Sequence, residues 1–270
     1  MSETNQTFWE HLDDLRSALL KSGAMVLVLS VVAFLFKDEL FAIVLAPRDS
    51  GFVTYRLLER IGALWAWGAP GGSDAFSVEL INTGLARQFM IHMKTALTAG
   101  VLLASPYIIY QLFRFVSPAL YADERSYATR VTGAGYVMFL LGVAVSYFVI
   151  FPLTFRFLGT YQVSPGVSNL ISLDSYMEVL SVMSLSMGIV FEMPVVAWLF
   201  ARLGLLNAEF MKSHRRHAVV LILVIAAVIT PTSDIFTLLA VSAPMCLLYE
   251  GSVWLVKLGA RRKAKAAVSA

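Results

Sequence analysis

Three ionisable residues within the long apolar stretches of this sequence are candidates for a function, because a charged group is costly there and is usually kept for a function. They are Lys94, Glu192 and Glu250. Glu192 stands in the run SLSMGIVFEMPVV, four residues after Gly188 and two before Pro194. Pro194 removes one helical hydrogen bond and is expected to bend the helix, which opens room for water beside a carboxylate. Glu192 is interpreted as a functional contact, with the joining of helices as the structural alternative.

The other two charges favour plainer interpretations. Glu250 lies near the inner end of the last apolar stretch, so it can simply reach the membrane interface. Lys94 lies in the outer half of its stretch, where snorkelling to the surface and a functional role are both open. His214 and His217 are three residues apart, with no carboxylate or cysteine close by in sequence to complete a metal site. No hydrolase, metalloprotease or phosphate-loop motif occurs, so neither an enzyme nor a cofactor is predicted.

A compact polar corner separates two long apolar stretches at residues 114–130, which read RFVSPALYADERSYATR. Its carboxylate Glu124 is placed at the membrane edge, where it can hold an arginine by paired N–H donors. The structural alternative is that Glu124 opens the following helix and interacts with the helix dipole. Both roles are compatible.

The composition is that of a membrane protein. Of the 270 residues, 58% are hydrophobic and 14% charged, whereas soluble domains are roughly half apolar and a quarter charged. The mean hydropathy is +0.73. The single cysteine, Cys246, lies in an apolar run and excludes a disulfide framework.

Six stretches are long and apolar enough, or nearly so, to cross a bilayer, which takes roughly 20 residues. They cover about residues 22–45, 89–113, 130–155, 176–201, 217–230 and 235–256. The fifth is short, so it either takes residues 214–216 as its polar end or thins the bilayer locally. The sequence predicts an all-α polytopic protein with one integral-membrane domain over residues 1–270.

The basic residues set the orientation of these spans. With the amino terminus inside, 14 of the 21 Lys and Arg residues lie on the inner side, including the basic tail 257–270. Cytoplasmic segments carry such an excess. Both termini are therefore predicted to be cytoplasmic.

Three connecting segments have their own patterns. Residues 46–88 form the one long outer loop, and their stretch YRLLERIGALWAWG predicts a short helix in the outer interface. Asp234 ends a tight outer turn and is expected to cap the sixth span. Ahead of the first span, apolar residues at helical spacing predict a helix lying on the membrane surface; they are Phe8, Leu12, Leu15 and Leu19.

Several segments, taken in order along the chain, resemble the TatC family of signal-peptide receptors of the twin-arginine protein translocase. They are HLDDLRSALL, SPYIIYQLFRFVSPALYADER, FEMPVV, TPTSDIF and APMCLLYE. The resemblance implies a six-span, concave, glove-like helical protein of the bacterial inner membrane. It also implies a receptor that binds the paired arginines of folded substrates' signal peptides and recruits single-span TatA and TatB subunits. Transport would draw on the proton-motive force. A homo-oligomer within the receptor complex is expected, and no nucleic-acid partner.

The resemblance assigns residues to these roles. The family's acidic position before Leu-Arg falls on Asp14, where Glu is usual, and its Glu-Arg pair falls on Glu124 and Arg125. Two carboxylates at the inner membrane edge can each take a guanidinium group bidentately. Without the resemblance, Asp14 would be a solvated position on the lead-in helix. The expected signal-peptide site comprises Asp14, Arg16, Tyr121, Glu124 and Arg125.

A second, intramembrane set is expected to contact partner helices. The family's mid-span acidic position falls on Glu192, and Gln111 and Asp234 fall on other motif positions. A small-solute secondary transporter is the alternative function, motivated by the kinked spans and by Glu192. Such a transporter is expected to contain repeats and paired discontinuous helices, and the sequence shows no repeat.

Overall fold

The apolar stretches fold into long helices, since a helix satisfies its own backbone hydrogen bonds in lipid. The computed structural model describes residues 8–64, 78–116, 128–162, 164, 169–230 and 234–269. Within these ranges the helices are α1 (Phe8–Leu35), α2 (Lys37–Leu45), α3 (Val53–Leu64), α4 (Arg87–Val116), α5 (Ala128–Val145), α6 (Phe151–Thr160), α7 (Leu173–Phe191), α8 (Met193–Arg202), α9 (Ala208–Ser213), α10 (Arg215–Ile229) and α11 (Ile235–Ser269). Two short strands are β1 (Leu80–Ile81) and β2 (Ile171–Ser172).

Among the described residues, five helical stretches are long and apolar enough to cross a membrane. They are Leu12–Leu35, Arg87–Phe115, Val131–Thr160, Leu173–Arg202 and Ile235–Ala260. The predicted fifth span corresponds to α10, which has 15 residues and is about 22 Å long. The count of six spans stays a prediction.

The amino-terminal segment differs from its prediction. Residues 8–21 are helical as predicted, but they continue into the first span as one helix of 28 residues, so no separate surface helix forms. No proline interrupts this segment, and its Leu, Ala, Lys and Arg residues all favour helix. The first span also ends earlier than predicted, at Leu35. Phe36 leaves the helical conformation, and α2 begins with acidic residues in its first turn, where they complement the helix dipole.

We call the end of the molecule that holds the start of α1 and the end of α11 the inner end, and the opposite end the outer end. At the outer end α3 confirms the helix predicted within residues 46–88, although Trp65 and Trp67 lie outside the described residues. The Tyr55 hydroxyl lies 3.0 Å from the Pro47 carbonyl oxygen and 3.1 Å from that of Pro152. It thereby ties the loop to the start of α6.

Two further tyrosine hydroxyls donate to backbone carbonyls at the outer end. A π-helical turn, Ser146–Ile150, joins α5 to α6. The Tyr147 hydroxyl donates to the Ile43 carbonyl at 2.6 Å, and the Tyr176 hydroxyl donates to the Val44 carbonyl at 3.0 Å. Burial raises the pKa of Tyr55, more than the nearby Arg156 lowers it, so the hydroxyl keeps the proton that it donates.

The short parallel pair β1–β2 was not predicted, because its partners are far apart in sequence. Leu80 pairs with Ile171 and Ile81 with Ser172. Since β1 precedes α4 and β2 runs directly into α7, the pair brings the outer ends of these helices together.

The interior is packed by close approach of α5 and α7. A Cβ on Gly142 would lie 2.8 Å from the Cβ of Phe191, so a glycine is needed where the two helices meet. Met183 and Met187 of α7 are fully buried beside them. Beyond Phe191 the packing changes, because α8 lies mainly against α11 instead of α5.

Candidate functional site

Glu192 lies where the fourth predicted span is divided into two helices, close to Pro194, which was predicted to bend the span. α7 ends at Phe191 and α8 begins at Met193, with Pro194 as its second residue. The Glu192 carbonyl accepts from the amides of both Val195 and Val196 at 3.0 Å, which starts the new helix. The sequence thus divides the span into two helices with an acidic residue between them.

The Glu192 carboxylate points into a tight space between helices. A Cβ placed on Gly135 of α5 would lie 3.0 Å from Oε2 of Glu192, 3.1 Å from a ring carbon of Phe113 and 3.3 Å from Ile109. Both carboxylate oxygens are buried, and neither has a hydrogen-bond partner in the described part of the chain. A buried carboxylate without a partner is costly. The predicted polar contact of Glu192 is therefore not made within the described chain.

Gln111 is buried on α4 but does not join Glu192. Its Nε2 lies 2.6 Å from the Tyr107 hydroxyl, one turn earlier on the same helix. Gln111 is 6% exposed, so this bond within α4 satisfies a side chain that would otherwise be buried without a partner. A contact of Gln111 with a partner helix stays a prediction.

Asp234 caps α11, as predicted. Its Oδ1 accepts from the backbone amide of Thr237 at 2.7 Å, which satisfies one of the free N–H groups at the helix start. This contact explains an acidic residue at this position without a partner protein. A contact of Asp234 with a partner helix stays a prediction.

The inner-end site is described only in part. Asp14 and Arg16 lie on α1 near its start, and both side chains are exposed. Neither forms an ion pair with any residue that the structure describes. Tyr121, Glu124 and Arg125 lie outside the described residues, which stop at Val116 and resume at Ala128. The predicted closeness of Asp14 and Glu124 in one site therefore stays a prediction.

The two other charges noted in the sequence have partners. Glu250 Oε2 lies 2.6 Å from Arg215 at the inner end, which agrees with a structural role. Lys94 Nζ lies 3.6 Å from Oδ1 of Asp174, and Arg87 lies 3.2 Å from Oδ2 of the same carboxylate. Lys94 thus reaches outward to a carboxylate at the start of α7.

Sequence reasoning missed Gly135 and Asp174. Gly135 sits in an apolar run, and nothing in the run indicates which side chain of another helix will face it. Asp174 lies two residues after Ser172, which caps α7. The surrounding sequence therefore predicts a helix start but not a partner on α4. Both roles depend on which helices are neighbours.

Among the described residues there is no group of three or more His, Cys, Asp or Glu side chains that could hold a metal ion. His92 packs as an aromatic ring, stacked on Phe34 with 4.0 Å between ring centroids. The described site can therefore offer carboxylate acceptors to cationic or hydrogen-bonding partners: an exposed one at Asp14 and a buried one at Glu192.

Three comparisons point to the same family. The family model of TatC, the Sec-independent protein translocase protein, matches residues 10–244. The TatC protein of Desulforapulum autotrophicum is 34% identical over 96% of this chain and 86% of that protein. The TatC protein of Blattabacterium sp. subsp. Periplaneta americana is 31% identical over 92% of this chain and 94% of that protein. A crystal structure of the twin arginine translocase receptor TatC has a TM-score of 0.73 and 32% identity, covering 92% of this chain and 99% of that chain. This likeness confirms the predicted all-α polytopic fold.

Proposed function

The chain belongs to the TatC family of Sec-independent protein translocase proteins, and from that premise we propose that it is a receptor for twin-arginine signal peptides. A translocase component of this family is not an enzyme. The observation that carries the proposal is the family match over residues 10–244, a range that includes both Asp14 and Glu124. This function replaces the small-solute transporter considered above.

The proposal includes an arrangement in the membrane. The protein has six spans with a concave face, lies in the bacterial inner membrane and keeps both termini in the cytoplasm. The excess of Lys and Arg at the inner end supports this orientation. TatA- and TatB-type single-span subunits are the partners, and the receptor complex holds more than one copy of this chain.

Asp14 and Glu124 are the proposed ligands of the two signal-peptide arginines, with Arg16, Tyr121 and Arg125 lining the same site. The exposure of Asp14 on α1 supports this role, because its carboxylate is available to a ligand. One exposed ion pair contributes only about 0–1 kcal/mol. Partial desolvation at the membrane edge strengthens each pair, and the planar fork of arginine favours it over lysine.

Site-specific photocrosslinking to a model Arg-Arg signal peptide tests this assignment. Asp14→Asn and Glu124→Gln are each expected to reduce crosslinking, while membrane insertion stays normal. The neighbouring acids supply matched controls, since Asp13→Asn and Asp123→Asn remove the same charge one residue away. Undiminished crosslinking in both Asp14→Asn and Glu124→Gln contradicts the assigned site. Solute uptake by the purified protein in liposomes would instead support the transporter.

Glu192 is the proposed contact for a polar residue on a partner helix within the bilayer. Its two buried oxygens without a partner in the described chain support this role. A hydrogen bond from a partner helix would remove the cost of burying them. Because Gly135 has no side chain, the Glu192 carboxylate fits beside it, and a partner need not displace a side chain at position 135.

A further inference from the structure

A cleft at the inner end lies outside every role assigned above. It has a volume of about 460 Å³ and lies between the end of α8, the turn that follows it and α11. Binding sites for small ligands have volumes of roughly 300–1,000 Å³. Trp198 and Arg202 form one wall, and Val256 and Gly259 stand on the wall contributed by α11.

The cleft lies at the depth of the lipid headgroups. The two apolar stretches that flank it, Leu173–Arg202 and Ile235–Ala260, both end at residues of its lining. Trp198 lines the cleft, and Trp254 on the neighbouring turn of α11 is 63% exposed. Tryptophan is enriched at membrane interfaces. The hydrocarbon region therefore ends beside the cleft.

The cleft carries positive charge. Its described lining contains Arg202 and no acidic side chain. The Arg202 guanidinium lies over the Trp198 ring, 5.0 Å from its centroid, which holds the cation at this wall of the cleft. A guanidinium has five N–H donors, so Arg202 can serve a ligand in addition to its present contacts. Immediately after Ala260, helix α11 continues through the basic sequence RRKAK.

We infer that this cleft binds the phosphate of an anionic phospholipid in the leaflet at the inner end, with Arg202 as the phosphate ligand. Basic pockets between membrane helices bind such headgroups. The depth of the cleft and its positive charge both favour a lipid headgroup as the occupant. The phosphate of a lipid lies at the depth where the two apolar stretches end. A net negative headgroup is favoured over a zwitterionic one by the positive charge of Arg202 and by the basic sequence that follows Ala260.

Native mass spectrometry of the purified full-length chain tests the inference, with phosphatidylglycerol and phosphatidylcholine of identical acyl chains as probes. We expect preferential retention of phosphatidylglycerol. Arg202→Gln should lower that retention roughly tenfold, the effect of losing one charge-assisted hydrogen bond. Arg216→Gln is the matched control, since it removes the same charge from an exposed inner-end position that does not line the cleft.

A second variant keeps the test valid if Arg202→Gln fails to fold. A Cβ on Gly259 would have no atom within 4 Å, so Gly259→Leu adds a side chain at the cleft wall whose first carbon meets no neighbour. It should reduce retention of phosphatidylglycerol while leaving Arg202 in place. Equal retention of the two lipids by the wild type overturns the inference. Wild-type retention in both Arg202→Gln and Gly259→Leu overturns it as well, and so does Arg202-dependent retention of inorganic phosphate without a preference between the lipids.

Discussion

The carboxylate of Glu192 and the bare α-carbon of Gly135 face each other so closely that a Cβ at position 135 would lie 3.0 Å from Oε2. The same added atom would crowd Phe113 and Ile109 of α4. The glycine on α5 therefore sets the space in which the carboxylate is held.

Gly135→Ala should destabilise the protein, because three neighbours must shift to admit one methyl group. Such overpacking costs about 1–3 kcal/mol, measured as a lower unfolding temperature in detergent. Gly133→Ala is the matched control on the same helix, since a Cβ there would have no atom within 4 Å. Because alanine favours helix more than glycine does, Gly133→Ala should leave stability equal or slightly higher. Equal effects of the two substitutions would show that crowding at Glu192 is not the cause.

Replacing Glu192 should separate stability from function. Glu192→Met removes two buried oxygens that lack partners in the described chain, so stability should rise by roughly 1 kcal/mol or more. Crosslinking to a partner helix and export should fall, whereas Glu192→Gln, which still offers hydrogen bonds, should retain part of both. A loss of stability in Glu192→Met would mean that the carboxylate is satisfied within the chain. Unchanged partner crosslinking in both variants would leave it only a structural role.

Tyr55→Phe should loosen the outer end, because it leaves the Pro47 and Pro152 carbonyls without their donor. The expected cost is about 1–2 kcal/mol of unfolding free energy. Tyr161→Phe, at an exposed outer-end tyrosine, is the control and should cost less than about 0.5 kcal/mol.

The stabilisation by Tyr55 should also depend on pH. Burial raises its pKa in the folded protein, so the folded state holds the proton more tightly than the unfolded state. The contribution is fully present below about pH 10, the pKa of an unperturbed tyrosine, and is lost as the pH rises above that value. The difference in stability between wild type and Tyr55→Phe should therefore shrink at alkaline pH. A difference that grows there would contradict the raised pKa.

Asp174→Asn should weaken the junction of α4 and α7 only modestly. The pairs with Arg87 and Lys94 are partly exposed, and such pairs contribute about 0–1 kcal/mol each. A double-mutant cycle with Arg87→Gln should give a small coupling that decreases in high salt. Glu178→Gln, one turn later on the same helix and exposed, is the control. A coupling that salt does not change would argue against an electrostatic origin.

Local signals predicted the features that depend on one segment. Pro194 predicted a bend close to the point where α7 ends and α8 begins, Asp234 predicted the cap of α11, and helical spacing predicted α3. The length of the apolar stretches predicted the long helices. Each of these follows from residues that are neighbours along the chain.

The features that depend on distant segments were out of reach. Three features can be predicted only when it is known which helices pack together. They are the pairing of β1 with β2, the carbonyl partners of Tyr55 and the need for a residue without a side chain at Gly135. The end of the first span at Leu35 was missed because residues 40–45 are again apolar and suggested continuation past Lys37, Asp38 and Glu39. The corner around Glu124 lies outside the described residues, so its prediction rests on the sequence and on the family.

The interruption at Glu192 has a mechanical consequence. Because α7 lies mainly against α5 and α8 mainly against α11, the two halves of one span pack against different helices and meet at a single acidic residue. A tilt of α8 would act mainly on its neighbour α11 and would change the angle between α8 and α7. A force applied at the inner end would then bend the chain first at Glu192, between the two helices.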